Sequence, residues 1–155
     1  MKYRKRIAFF LLTAVCLFVL PGCSARKAIT ASDFTTAAEA AGFSAVESED
    51  ESTSTTGTVV QMEKDGISVT FIEYSSNAEA KEAYASQRSS MKASMTSGGA
   101  KEQTLDSDTY CKYLVNVGDM YYALVQNSNT VCFAKSTSDG QSEIEQLLKG
   151  IGYIS

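Results

Sequence analysis

Asp65-Gly66 and Gly118-Asp119 each sit between two runs in which apolar and polar residues alternate. These two hairpin signals constrain the fold more than any other feature of the chain. The first joins strands over 58–63 and 67–74, the second strands over 110–117 and 120–126. A two-residue turn at 65–66 sets Met62 opposite Val69 and Val60 opposite Phe71, so these four side chains share a face. Val59, Ile72 and Tyr74 then take the other face. The turn at 118–119 puts Cys111, Tyr113, Val115 and Val117 on one face with Met120, Tyr122 and Leu124. A further strand over 130–136 follows the turn Asn127-Ser128-Asn129, and shorter strands are expected over 44–47 and 101–105.

Three helices interleave with these strands. Over 29–43, Thr30 is placed to cap with Asp33 at the third helical position, and Ile29 to staple on Phe34. Phe34, Ala37, Ala38 and Ala41 form its apolar stripe, and Gly42 ends it. Ser76-Asn77-Ala78-Glu79 opens the second helix with a capping box. Its stripe is Ala80, Ala83, Tyr84, Gln87 and Met91, reaching Met95 before the Gly98-Gly99 loop. Ser138 or Asp139 is the expected cap of the last helix, whose Ile144, Leu147, Leu148 and Ile151 give the clearest amphipathic stripe in the chain. Gly150 and Gly152 end it, and Tyr153-Ile154 is expected to dock on the sheet. The segment 47–57, rich in Glu, Ser and Thr, buries too little apolar area to offset ordering and reads as a mobile loop. The fold class expected is α+β: a two-layer sandwich of antiparallel sheet with helices packed on one face. The element order suggests two α-β-β-β halves and a C-terminal helix.

The N-terminus is of another kind. Lys2, Arg4, Lys5 and Arg6 precede the uncharged run 7–20, IAFFLLTAVCLFVL, which is 14 residues long. A spanning helix needs about 20 apolar residues, so this run suits the core of an export signal. Leu20-Pro21-Gly22-Cys23 follows. It resembles the lipobox of bacterial lipoproteins, with an aliphatic residue at −3, a small one at −1 and Cys at +1; Pro21 departs from the small residue usual at −2. The resemblance covers residues 1–23. It implies cleavage between Gly22 and Cys23 and a diacylglyceryl group on the Cys23 thiol. The lipid bilayer then becomes a partner through that anchor, at the extracytoplasmic face of the cell membrane, or at the outer membrane where the host has one. The division expected is 1–22 signal, 23–28 lipidated cysteine and short tether, and 29–155 a single α+β domain.

Charge narrows the partners. Four of the 14 basic residues and none of the 18 acidic ones lie in residues 1–22, so cleavage would leave a net charge of −8. A domain so acidic repels phosphate backbones, and nucleic acid is not an expected partner.

Residue chemistry narrows the activity. The chain has no His, which excludes Ser-His-Asp and Cys-His nucleophile systems and removes the commonest zinc ligand. No metal site and no cofactor are expected. Ser89 and Lys92 have the S-x-x-K spacing of penicillin-binding proteins, but the partner motifs S-D-N and K-T-G are missing. The acids Glu47, Glu49, Asp50 and Glu51 lack the ordered spacing of a calcium loop. Asp106 and Asp108 form a carboxylate pair by spacing alone. Export favours a disulfide between Cys111 and Cys132. A simple meander instead sets them two strands apart, about 9–10 Å, beyond the ~7 Å a disulfide spans. Two buried free thiols is the expectation for a meander, and a different strand order would restore the bond.

Tyr110, Tyr113, Tyr121 and Tyr122 are the candidate binding residues. Alternation sends Tyr113 and Tyr122 to one face and Tyr110 and Tyr121 to the other. One pair belongs to the core, and the other would present a recognition surface. The function expected is a membrane-tethered, non-catalytic binding or accessory module facing an envelope protein, a peptide or a small ligand. The alternative is a small cell-envelope hydrolase using carboxylates or a Ser/Lys pair.

Overall fold

A computed structural model describes residues 26–46, 57–95 and 100–155. The elements run α1 (Ala31–Ala40), β1 (Ser44–Ala45), β2 (Gly57–Lys64), β3 (Ile67–Tyr74), α2 (Asn77–Ser94), β4 (Lys101–Asp106), β5 (Tyr110–Val117), β6 (Met120–Asn127), β7 (Thr130–Thr137) and α3 (Gln141–Gly150). The signal run, Gly22 and Cys23, most of the acidic loop and the Gly98-Gly99 loop lie outside the described residues.

The seven strands form one antiparallel sheet in the order β1-β2-β3-β7-β6-β5-β4. Two meanders, β1-β2-β3 and β4-β5-β6-β7, are joined where β3 pairs with β7. The first hairpin has the expected register, with Met62 opposite Val69 and Val60 opposite Phe71. The second does too, with Val117 opposite Met120. The α+β class and the element order are as the sequence indicates.

The helices divide between the faces of the sheet. α1 and α3 pack on one face, over Met62, Val69, Phe71, Ala123, Val125, Cys132 and Ala134. With the sheet they form the two layers expected, and α2 adds a third. α2 packs on the other face, through Ala80, Tyr84 and Met91 against Cys111, Tyr113, Val115, Leu124 and Val131. The physical reason lies in the central strands: consecutive residues are buried in β5 (Tyr113, Leu114, Val115), in β6 (Ala123, Leu124, Val125) and in β7 (Val131, Cys132). Neighbouring strand residues point to opposite sides, so a strand apolar at every position needs cover on both. Gln87, expected in the α2 stripe, is exposed, and Ala83 is half-buried.

Helix ends follow local chemistry, with one correction. Thr30 Oγ1 accepts from Asp33 N at 3.1 Å, and Asp33 Oδ2 accepts from Thr30 N at 3.3 Å, completing the capping box. α3 has no side-chain cap; a 3₁₀ turn over Ser138–Gly140 leads into it, and neither Ser138 nor Asp139 caps it. α1 and α3 finish alike. Gly42 (φ +86°) and Gly152 (φ +76°) adopt the left-handed conformation that glycine alone adopts without a Cβ penalty. Phe43 N then donates to Ala38 O at 2.9 Å, and Tyr153 N to Leu148 O at 2.7 Å. Each closure turns an aromatic ring, Phe43 or Tyr153, into the core.

Cys111 lies on the α2 face and Cys132 on the opposite one, with β6 between their strands. Both are buried free thiols, as a meander requires.

Candidate functional site: the clefts beside α2

The four tyrosines do not make an exposed recognition surface. Tyr110, Tyr113 and Tyr121 are buried, and Tyr122 is half-buried. Tyr110 donates to Tyr153 O at 2.6 Å, and the Arg26 guanidinium lies 4.2 Å over its ring. Tyr121 reaches Glu145 Oε1 of α3 at 3.4 Å. Tyr113 lies under α2 and donates to Glu102 Oε1 at 3.0 Å. Both tyrosine pairs are packing residues because both faces of the sheet are covered.

What the sequence spacing does assemble is a ladder of charges. Lys81, Arg88 and Lys92 stand on the flank of α2 that faces the edge strand β4. Arg88 Nη1 donates to both carboxylate oxygens of Asp106, at 2.9 and 3.2 Å. Lys92 Nζ lies 3.3 Å from Glu102 Oε2, and Lys81 Nζ lies 3.6 Å from Asp108. Arg88 and Lys92 also sit over the Tyr113 ring, 5.2 and 5.3 Å from its centroid. The hydrogen bond from Tyr113, followed by that from Lys92, holds the Glu102 carboxyl below its ordinary range. These pairs are largely exposed, so solvent screens them and each adds little to the stability of the fold. Together they fasten a strand whose six residues are all exposed.

Between α2 and this edge lies a groove of about 420 Å³ lined by Lys81, Tyr84, Arg88, Ser89, Lys92, Asp106 and Cys111 among others. Ser89 and Lys92 therefore share a site. A Ser/Lys nucleophile needs a neutral amine as its base, and Lys92 is instead engaged with Glu102 and the Tyr113 ring. Asp106 and Asp108 do not converge on one point, since each answers a different cation of α2. Tyr84 is 3% exposed, and its hydroxyl is buried with no hydrogen-bond partner among the described residues. Such a group costs about 1–3 kcal/mol while unpaired. Sequence reading takes Tyr84 as plain core. The i, i+4 spacing to Arg88 was the available signal that its hydroxyl meets a charged flank.

The other side of α2 leaves a second cleft, about 290 Å³, lined by Ile72, Tyr74, Gln87, Phe133 and neighbours. Ile72, Tyr74 and Phe133 are half-buried, and Val59 beyond them is 42% exposed. The sequence already set Val59, Ile72 and Tyr74 apart from the main core face. No group of three or more metal-ligating side chains occurs among the described residues. Among them, too, no helix is long and apolar enough to cross a membrane.

Burial fixes the response to alkali. The Cys132 thiol is pushed up to about 12 from 9.0, and the Tyr113 and Tyr153 hydroxyls up to about 12 from 10.0, by loss of hydration. Tyr84 and Tyr121 are raised by the same cause. Each group holds its proton more tightly folded than unfolded. Its contribution is complete below the unfolded value and is lost as pH rises through the folded one. Stability should stay level to about pH 9 and fall steeply between about pH 10 and 12. Circular dichroism should then change together with ionisation of the buried tyrosines Tyr84, Tyr113, Tyr121 and Tyr153. Gradual ionisation of these four near pH 10 with the fold intact would contradict these burials.

No protein-family model matches the chain, and no curated protein matches it. Among solved structures it is similar to a Thermotoga maritima protein described as a GTP binding regulator. The two share 11% identity and a TM-score of 0.53, over 82% of this chain and 90% of that one. At this identity the likeness is one of fold.

Proposed function

We propose that the chain is a lipoprotein held at the extracytoplasmic face of a membrane through acyl groups on Cys23. Its single domain acts as a non-catalytic binding or accessory module toward an envelope protein, a peptide or a small ligand. One observation carries the reading: the fold begins almost at the proposed anchor. Arg26, three residues beyond Cys23, already lies over the Tyr110 ring. The Lys27 carbonyl accepts from Asn127 Nδ2 at 3.1 Å, and Ile29 packs against the core. Three residues reach about 10 Å at most. A lipid on Cys23 would therefore hold the sheet end that carries Tyr110 and Asn127 close to the bilayer. Two acyl chains suffice for stable attachment. The paired charges of the α2–β4 groove further support recognition over catalysis. The likeness to the Thermotoga maritima protein contributes only the fold, and no GTP activity is carried over from it.

Metabolic labelling with palmitate tests the anchor. The wild-type chain should incorporate label and lose its leader, whereas Cys23→Ala should be unlabelled and retain it. An unlabelled wild-type chain, or equal labelling of both, would overturn the anchor. Crosslinked co-purification from native membranes then tests the module. A stoichiometric partner captured only with the lipidated form supports an accessory role; no partner from membrane-bound protein counts against it.

A further inference from the structure

We propose that the groove between α2 and β4 binds a small organic monocarboxylate through Arg88 and the Tyr84 hydroxyl. This deepens the binding-module reading and rests on it. The groove is a locally basic place on an acidic chain, since Lys81, Arg88 and Lys92 line it against the single acid Asp106. Glu102 and Asp108 pair with Lys92 and Lys81 from outside the lining. An incoming anion therefore meets cations directly and exchanges with exposed, weakly held acids. Arg88 engages Asp106 through Nη1 alone, which leaves the rest of its planar fork for a second carboxylate. Tyr84, one turn away on the same flank, brings a buried hydroxyl that no group among the described residues answers.

The class of ligand follows from charge and shape. Asp106, Glu102 and Asp108 around the groove oppose a dianion such as a phosphate monoester, and a single negative charge meets less of this repulsion. The wall also includes Ala85, the Tyr84 ring and Cys111, which suit a compact apolar body. About 420 Å³ lies within the range of about 300–1,000 Å³ of small-molecule clefts.

Benzoate is the probe, added to the mature full-length chain in detergent and followed by backbone amide NMR shifts. Benzoate should shift α2 and β4 saturably, while benzamide, of the same shape without the charge, should not. Tyr84→Phe keeps the ring and should weaken benzoate about tenfold, the value of one hydrogen bond to a charged acceptor. Lys81→Gln, on the exposed flank, should weaken it less. Equal responses to benzoate and benzamide, unchanged affinity in Tyr84→Phe, or shifts confined to other elements would each overturn the proposal. Tighter binding of phenylphosphonate would overturn the monocarboxylate class. Palmitate labelling and co-purification read out separately, so failure of benzoate leaves the anchored module standing, and failure of the anchor leaves a benzoate site standing.

Discussion

Phe71→Ala should destabilise the domain by about 3–5 kcal/mol, the range for a large aromatic removed from a core. Phe71 is fully buried at the middle of β3, opposite Val60 of β2 and Cys132 of β7. Its ring stacks on Phe34 of α1 with centroids 4.6 Å apart and planes within 8°. It also meets Tyr153 at 6.3 Å. One side chain thus couples the first helix, the central strands and the C-terminal tail. Truncation leaves a cavity, because β2 and β7 are fixed to β3 by ladder bonds and cannot move in to fill it. Against a typical total of about 5–15 kcal/mol, the loss would leave a marginal domain. Urea denaturation should show a much lower midpoint with an unchanged slope. A loss under about 1 kcal/mol would mean that α1 does not pack on β3 as described.

Tyr153→Ala should cost as much or more. Tyr153 is fully buried, its carbonyl accepts from Tyr110, and its hydroxyl hydrogen-bonds to Thr130 Oγ1. The variant loses about 3–5 kcal/mol of packing. It also strips a partner from buried Thr130, which retains its bond to Asn127 O at 2.7 Å. Tyr153→Phe retains the ring and should cost only about 1 kcal/mol. The contrast, measured by thermal unfolding, separates the ring from the hydroxyl. Equal costs would assign the stabilisation to the hydrogen bond, contrary to the burial.

What was legible in the sequence was local. Asp65-Gly66 and Gly118-Asp119 set two registers because a two-residue turn leaves only one in-phase pairing. Thr30 and Asp33 set a helix start, and Ile144, Leu147, Leu148 and Ile151 a buried stripe, each through contacts within a few residues. The long-range choices were hidden. That β7 lies beside β3, and that α2 crosses to the face opposite α1, depend on which apolar faces remain open after the hairpins form. Alternation cannot reveal this where both faces are apolar. The tyrosines misled for the same reason, since a face that looked free was the one α2 covers. The groove was half visible: Ser89, Lys92 and Asp106 stood out as types, but their setting depends on the pairing of β4 with β5.

The position of β7 also sets a schedule. β3 is complete by residue 74, yet its inner neighbour spans residues 130–137. A growing chain can close either meander's hairpins early, but the sheet stays in two pieces until that neighbour is made. Tyr153, which locks the tail over Phe71, comes later still. Pairing across so long a separation is slow, because the loop-closure entropy must be met first. A chain that crosses a membrane unfolded gains from this delay. On the lipoprotein reading proposed above, the core would stay unformed while a leader engages the export machinery, so the order of the strands would help to keep the chain translocatable.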